Sequence, residues 1–362
     1  MRKAAKRDMA ERELIKWMRR RIRVDSKTVP IGPGDDAALV VMPSRRELVT
    51  IDTIAEGVDF VLPDTREKGP ALLRRGDPLP CPSPHWRGDD KGGRAQALTR
   101  RAEFGRSDGV RPARAREIGR KAILVNLSDI AALGGAPSWC VVAAALRRGL
   151  GAEFAKGLYL GLEEAAEEYG CPLVGGDVTG WNDGVVVTVA MGGVLAGRRA
   201  ITRGGARPGD VVCVTGALGG SILGKHLRFE PRLAEGAWLA RHHAPTAMID
   251  ISDGLGVDSA HIGEESGVCI EIDEARIPVS AAAKRLARRD GKTALHHAIA
   301  DGEDFELLFT VGRREAARAA KEWPFKTPVS EIGRVCKGRG VALMRADGAR
   351  ERIDVEGYEH LG

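Results

Sequence analysis

Residues 249–258 read IDISDGLGVD. This stretch places three carboxylates, Asp250, Asp253 and Asp258, on a background of isoleucine, leucine, valine and glycine. An apolar run that ends in a glycine-containing polar turn and continues into a helical pattern is typical of a strand-to-helix junction in an α/β protein. Such a junction needs at most one aspartate, as a helix N-cap. The aspartates beyond that one predict a functional site at this junction.

Five further acidic clusters stand at the ends of apolar runs, nearly all with glycine close by. They are GPGDDAALV with Asp35 and Asp36, TIDTIAEGVDF with Asp52, NLSDIAALGG with Asp129, VGGDVTG with Asp177, and DGEDFELLF with Glu303 and Asp304. Taken singly, each acid is explained equally well as a helix cap or a turn residue. Carboxylates that converge in one pocket repel one another unless cations neutralise them. The six clusters together therefore predict a site for Mg²⁺ and phosphate groups.

The length and composition indicate two domains. The chain has 362 residues, which is too long for one compact core. Hydrophobic residues make up 43% of it, enough to form sizeable cores. No apolar run approaches the roughly 20 residues that span a bilayer, and the charged N-terminus is unlike a signal peptide. The six cysteines are far apart and mostly lie in apolar segments, which is typical of thiols in a reducing compartment. We therefore expect a cytoplasmic protein without a membrane partner.

Residues 66–116 carry the net positive charge. They hold 13 Lys and Arg against 6 Asp and Glu, so the rest of the chain is close to neutral. The segment is rich in glycine and proline and has no apolar period, and it therefore predicts a disordered insertion in a loop. A basic arm that binds nucleic acid is a disfavoured alternative, because aromatic residues are scarce there. A third alternative is sequence that is not a natural part of the fold.

The remaining pattern alternates strands and helices. Strands are predicted at ELVTIDTI, CPLVGGDVTG, GVVVTVAMGGVL, VVCVTG, GVCIEIDEARIPVS and DFELLFTV, and helices at GRKAILVNLSDIAALGG, FAKGLYLGLEEAAEEYG and PVSAAAKRLARR. A polar, glycine-rich joint at residues 196–210 predicts a boundary between residues 1–196 and residues 197–362. Both halves are therefore expected to be α/β.

Residues 219–225 fit the spacing of a phosphate-binding P-loop. The motif requires Ser or Thr next, but position 226 is His226. Gly224 and Lys225 are predicted to lie inside a helix that begins at Ser221, which argues against a P-loop. The glycine-rich turn before that helix could still meet a phosphate with its amides.

The motifs, taken in order, resemble those of thiamine-monophosphate kinase. The resemblance rests on GDDAALV, TIDTIAEGVDF, KAILVNLSDIAALGGAP, LVGGDVTG, ITRGGARPGDVVCVTGALGGS, HHAPTAMIDISDGLGVDSAHIGEESGVCIEID and GEDFELLFTV, and it leaves out residues 66–116. It implies an aminoimidazole-ribonucleotide-synthetase-like α/β fold with two domains. It also implies a homodimer whose N-terminal sheets pair into a barrel. The implied reaction is Mg²⁺-assisted transfer of the ATP γ-phosphoryl group to thiamine monophosphate, with a role for K⁺ left open.

The resemblance also implies roles for individual residues. The implied metal ligands are Asp36, Thr50, Asp52, Asp129, Asp177, Asp250 and Asp253, with Asp129 and Asp253 as the catalytic pair. The implied contacts to the nucleotide phosphates are Gly176, Asp177, Arg203 and Ser252. The implied contacts to the thiamine end are Asp59, Glu303 and Tyr358. Asp59 stands where the family usually has histidine, and Asp301 where it usually has glycine.

Two alternatives remain open at this point. The chain could be another ATP-dependent synthetase of the same superfamily, of the purine-pathway or selenophosphate type. It could also be an inactive protein that binds nucleotide or RNA because the insertion disables the site. Turnover of ATP with thiamine monophosphate separates these classes.

Overall fold

The computed structural model describes residue 27, residue 30 and residues 37–41, 46–62 and 113–353 of the chain. The strands are β1 (Ala38–Val41), β2 (Arg46–Ala55), β3 (Gly135–Arg147), β4 (Leu173–Trp181), β5 (Val186–Leu195), β6 (Val211–Thr215), β7 (Ala247–Asp250), β8 (Cys269–Asp273), β9 (Leu307–Val311), β10 (Val329–Cys336), β11 (Gly340–Met344) and β12 (Arg350–Arg352). The α-helices are α1 (Ala115–Ala132), α2 (Gly151–Glu168), α3 (Leu233–His242), α4 (Leu255–Ser266), α5 (Ala281–Asp290), α6 (Ala294–Ala300) and α7 (Arg313–Glu322). None of these helices has both the length and the apolar composition needed to cross a bilayer.

The first sheet has the order β1-β2-β5-β3-β4. All pairs are antiparallel except β3 with β4. Side chains alternate between the two faces of a strand. Leu48, Thr50 and Ile54 of β2 are therefore buried on the face that α1 covers, whereas Ile51 between them is 65% exposed on the other face. One face of this sheet is thus covered by helices, and we call the other the open face.

Helix α1 lies at the joint between the two halves. It contacts α2 and the first sheet, and it also contacts α3 and β7 of the second half. This position explains why most of the helix is buried, with residues such as Ile118, Leu124 and Ile130 fully enclosed. Its buried polar side chains Lys121 and Ser128 are therefore held where the two halves meet.

The second sheet has seven strands in the order β12-β11-β8-β10-β6-β9-β7. Only the β11–β8 pair is parallel. Strand β6 is buried on both faces, because Val211 and Cys213 join the core shared with the first half, while Val212 and Val214 join a second core under α4. The strands of the first sheet all precede residue 196 and those of the second all follow residue 210. We retain the division near residue 196 as a proposal.

Four of the local differences from the sequence predictions have a plain physical reason. Strand β3 was not predicted, because it is rich in alanine and contains Pro137, both uncommon in strands. Residues 221–227 form two short 3₁₀ turns rather than a helix, because Gly224 between them has a φ of 130°. Strand β9 begins at Leu307 instead of residue 304, after Phe305 with a positive φ. Helix α1 begins at Ala115, so residues 115–116 of the predicted insertion are helical.

Candidate active site

A cleft of about 610 Å³ opens between β2, α1 and the loops of the second half. Nine of the residues singled out in the sequence line it, namely Thr50, Asp52, Asp59, Asp129, Arg203, Asp250, Ser252, Asp253 and Glu303. These residues come from segments more than 250 positions apart in the sequence. The fold therefore gathers most of the acidic clusters at one place.

The first wall of the cleft pairs β2 with α1. Thr50 and Asp52 lie two positions apart on β2 and share its helix-covered face. The Thr50 Oγ1 donates to Asp129 Oδ2 at 2.5 Å. Asp129 lies in the last turns of α1, inside the helix and far from its N-terminus. It therefore does not act as a helix cap.

The opposite wall is the end of β7 and the turn that follows it. Asp250 is 2% exposed and accepts a hydrogen bond from Ser128 Oγ at 2.6 Å. Ser128 precedes Asp129 in α1. Adjacent residues of one helix thus hold a carboxylate from the second half and a hydroxyl from the first.

The turn after β7 brings Asp253 to the cleft. Its N–H donates to Asp258 Oδ2 at 3.1 Å. Carboxylate oxygens of Asp253 and Asp258 and a ring nitrogen of His261 all lie within 4.8 Å of one another. The N-cap of α4 is Gly254, which makes no side-chain cap. Asp253 is therefore free of a capping role and its carboxylate can serve as a ligand.

The charges that line the cleft are strongly unbalanced. Among the described lining residues the acids are Asp52, Asp59, Asp129, Asp250, Asp253, Asp301 and Glu303, and the base is Arg203. Such a cleft would repel an anionic nucleotide unless cations neutralise it. Short carboxylates and the Thr50 hydroxyl are hard oxygen donors of the kind that Mg²⁺ takes. The donor set therefore fits magnesium ions with bound phosphate.

Glu303 lies at the other end of the cleft in an unusual backbone conformation. Its φ is 61°, and its N–H donates to Ser252 O at 2.7 Å. Burial raises the pKa of Glu303 and the nearby charge of Asp59 adds to this, while the ion pair with Lys121 acts in the opposite direction. A left-handed residue other than glycine is strained and is often found at functional sites.

Two polar residues of α1 were not assigned from the sequence. Lys121 pairs with Glu303, and Ser128 binds Asp250. A signal for both was present, because positions 121, 125 and 128 lie on one face of the helix, among the apolar residues Ala122, Leu124 and Val125. A lysine and a serine on that face indicate contacts to polar groups rather than to a core.

Two of the predicted site residues that the structure describes are not brought to the cleft. Gly176 and Asp177 lie on β4, at the opposite edge of the sheet from Thr50, because β5 and β3 separate β4 from β2. The strand register places Gly175 in line with Ile51 across the sheet, on the open face. Asp177 is two positions further along β4 and therefore lies on the same face. Asp36 and Tyr358 lie outside the described residues. Of the eleven predicted site residues that the structure describes, nine therefore converge at the cleft.

The glycine-rich turn before the 3₁₀ segments is not a phosphate cradle. The N–H of Gly219 donates to Asp304 Oδ2 at 2.7 Å, and that of Gly220 donates to Asp301 Oδ2 at 2.9 Å. Lys225 Nζ is held by Glu306 at 2.8 Å. Carboxylates of the chain itself occupy the amides that a phosphate would need, which corrects the expectation from the sequence.

Asp304 and Glu306 form a buried acidic pair under this turn. Burial raises the pKa of Asp304 to about 7, although the charge of Lys225 opposes the change. Burial acts in the same direction on Glu306, but hydrogen bonds and charge from Arg232 and Lys225 outweigh it and hold the pKa of Glu306 low. The pKa values of the two neighbouring carboxyls therefore change in opposite directions, because hydrogen bonds from two cations reach only Glu306.

A family model, curated relatives and solved structures were compared with this chain, and all three comparisons find similar proteins. Residues 99–195 match the family described as AIR synthase related protein, N-terminal domain. A thiamine-monophosphate kinase of Rhodopirellula baltica is 32% identical over 358 residues, which cover 97% of this chain and 97% of that protein. A thiamine-monophosphate kinase of Aquifex aeolicus is 35% identical over 67% of this chain and 81% of its own. The solved structure of AaThiL complexed with AMPPCP and TMP has a TM-score of 0.72 at 28% identity and covers 97% of both chains.

Proposed function

Because this chain belongs to the thiamine-monophosphate kinase family, we propose that it transfers the γ-phosphoryl group of ATP to thiamine monophosphate, forming thiamine diphosphate and ADP. The observation that carries the proposal is the cleft, in which nine of the residues singled out by the family resemblance meet. Both substrates are supported by the related structure, which holds AMPPCP and TMP.

The chemistry of the cleft suits phosphoryl transfer. The γ-phosphoryl group moves through a loose, in-line transition state, so positioning and charge neutralisation provide most of the catalysis. Magnesium ions, when bound, would supply that neutralisation. Asp52, Asp129, Asp250 and Asp253 would hold them, with Thr50 orienting Asp129 through its hydrogen bond. The acceptor is already an anionic phosphate oxygen and needs no strong general base.

Arg203 and Glu303 mark the two ends of the proposed substrate path. Among the described residues that line the cleft, Arg203 is the one that carries a positive charge, and it would bind the nucleotide phosphates. Glu303 would contact the thiamine end, with Ser252 beside it holding its backbone. The five described cysteines are free thiols, which fits a reaction in the cytoplasm.

We propose that the protein acts as a homodimer joined through the open face of the first sheet. This face carries small and apolar side chains, including Val141, Ala143 and Ala145 of β3 and Ile51 of β2. An exposed sheet face of this kind is uncommon on a monomer and marks an interaction surface. Pairing of two such faces would produce the barrel that the family resemblance implies.

The test of the proposed function is formation of thiamine diphosphate. We expect the purified protein to form thiamine diphosphate and ADP in equal amounts from thiamine monophosphate and ATP in excess Mg²⁺. Chromatography measures both products. Chelation of divalent cations should stop the reaction, and fresh Mg²⁺ should restore it. A folded protein that forms no product under these conditions rejects the proposal and favours a binding role or another synthetase of the superfamily.

A further inference from the structure

Helix α1 buries a lysine at the edge of the cleft. No part of the Lys121 side chain is exposed. Removing an ammonium group from water is costly unless charge and hydrogen bonds compensate. Lys121 Nζ donates to the backbone oxygen of Asp59 at 2.8 Å and forms an ion pair with the carboxylate of Glu303. Both partners line the cleft, so this lysine is buried against the site rather than in the core.

Three separate segments meet at Lys121. The lysine belongs to α1, Asp59 to the turn after β2, and Glu303 to the loop before β9. The Glu303 backbone is fixed from one side by its hydrogen bond to Ser252 O at 2.7 Å. Its side chain is fixed from the other side by Lys121, and 26% of that side chain remains exposed. Lys121 therefore sets the direction in which the Glu303 carboxylate faces the cleft.

The charges at this end depend on the same lysine. Asp59 and Glu303 are both acidic, and Asp59 Oδ2 accepts from the N–H of Ala55 at 2.8 Å within its own turn. The charge of Asp59 raises the pKa of Glu303, and the ammonium group of Lys121 opposes this effect. Without Lys121 the repulsion between the two acids would be unopposed by that group, in a partly buried place where like charges repel strongly.

We propose that Lys121 is a positioning residue for the acceptor substrate, holding the Glu303 carboxylate at the cleft wall in the direction that meets the positively charged thiazolium ring. The inference rests on the proposed kinase function and deepens it. Charge complementarity of this kind governs which ligand is accepted. Lys121 acts through Glu303 and has no role towards ATP.

The test compares the two substrates in the Lys121→Met variant. Methionine keeps the length of the side chain without its charge. The KM for thiamine monophosphate should rise at least about tenfold, while the KM for ATP changes less than about threefold, because only acceptor binding is lost. Glu303→Gln should raise the same KM. The double variant should bind the acceptor no worse than Glu303→Gln alone, because one residue acts through the other.

Lys225→Met is the matched control. Lys225 forms an ion pair with buried Glu306 in the second half and does not belong to the cleft lining. Its loss should lower the melting temperature but leave the KM for thiamine monophosphate unchanged. If Lys121→Met does not fold, Lys121→Gln replaces it with the same expectation, because glutamine keeps hydrogen-bond donors without the charge.

The outcomes separate this inference from the proposed function. A wild-type protein that makes no thiamine diphosphate rejects the function itself. An active wild type with an unchanged acceptor KM in the Lys121 variant rejects only the role of Lys121. Equal rises in KM for both substrates, or fully additive effects in the double variant, also overturn it.

Discussion

At the scale of single residues, the aspartates of the cleft occupy positions where a capping role is absent. Asp129 lies inside α1, and the cap of α4 is Gly254 rather than Asp253. A true capping aspartate exists elsewhere, because Asp273 accepts from the N–H of Ala275 at 3.0 Å at the start of a 3₁₀ turn. The chain thus offers both kinds of aspartate for comparison.

Replacing Asp129 or Asp253 by asparagine should abolish most of the turnover. Asparagine keeps the shape but removes the charge that holds a metal ion, so kcat should fall more than about 100-fold, beyond the 10- to 100-fold typical of residues behind the ligands. Asp273→Asn is the control and should keep full activity, because asparagine caps as well as aspartate. Steady-state rates and circular dichroism check both points, and active variants at both positions would disprove the metal assignment.

Asp304 should make the protein less stable as the pH rises. The pKa of its carboxyl is 3.8 in the unfolded chain and about 7 in the folded protein, because burial disfavours the charged form. Between these values the unfolded chain binds fewer protons than the folded one, so the free energy of unfolding falls from pH 4 to pH 7 and is level above it. Each pKa unit corresponds to about 1.4 kcal/mol.

The Asp304→Asn variant should lack this decline. Asparagine resembles the protonated acid and can still accept from Gly219. Urea unfolding at pH 5 and pH 8 should show wild type losing stability across this range, by a few kcal/mol at most, and the variant losing less. Parallel curves for the two proteins would exclude Asp304 as the titrating group.

Most of the cleft could be predicted from the sequence because its lining residues lie in motifs whose order is specific. Lys121 could not be assigned a role, because its partners Asp59 and Glu303 are 62 and 182 positions away. The place of Asp177 depends on strand order, which no local pattern contains. Residue types were therefore predictable, while their partners required the tertiary structure.

At the scale of elements, α1 and α2 cross at unusually short distance. A Cβ on Gly161 would meet the backbone oxygen of Arg116 at 2.0 Å, and one on Gly119 would meet that of Leu158 at 2.2 Å. The same pair of helices is joined outside by the ion pair of Arg120 with Glu168 at 2.5 Å. Glycine at the crossing is thus required by contact between two backbones.

Gly161→Ala should push α2 away from α1. Overpacking of this kind costs about 1–3 kcal/mol, and here neither backbone can rotate aside. The control is Gly157→Ala in the same helix, where the new Cβ meets only the Ala115 methyl at 3.1 Å. That change should be neutral or slightly stabilising, because alanine favours helix. Thermal unfolding of both variants measures the difference, and equal melting temperatures would contradict the close crossing.

At the scale of the whole molecule, two places can be tested by changing the chain. One is the open face of the first sheet, through which we propose that the dimer forms. The other is the point where the described residues on either side of residues 63–112 meet. There the N–H of Ala113 donates to Val61 O at 2.7 Å, so the two flanking residues are hydrogen-bonded neighbours.

Ala143→Asp should convert the proposed dimer into a monomer. Ala143 is exposed in the middle of the open face, and a charge there would be buried without a partner in a paired sheet. Leu160→Asp is the control, because Leu160 is 40% exposed on α2, on the other side of the sheet. Light scattering after size-exclusion chromatography gives the masses. A wild type that elutes as a monomer would refute the dimer.

A chain in which residues 64–111 are replaced by a short glycine-serine turn should keep its fold and activity. The flanks already meet at Val61 and Ala113. Loop-closure free energy changes by only about 0.6 kcal/mol for each doubling of length. Melting temperature and thiamine diphosphate formation test the shortened protein. Loss of folding would assign the segment a structural role, and a gain of activity would assign it an inhibitory one.

Helix α1 also has a consequence for motion. Within positions 121–129, a span of about 12 Å along the axis, it holds Glu303 and Asp250 of the second half and Thr50 of the first. A hinge between the halves would have to break the Glu303 and Asp250 contacts together. We therefore expect the two walls of the cleft to keep their separation during turnover, so that substrates enter and leave without domain closure. Slow steps in turnover then belong to chemistry or to small loops, and the amides of α1 should exchange with solvent only when the whole protein unfolds.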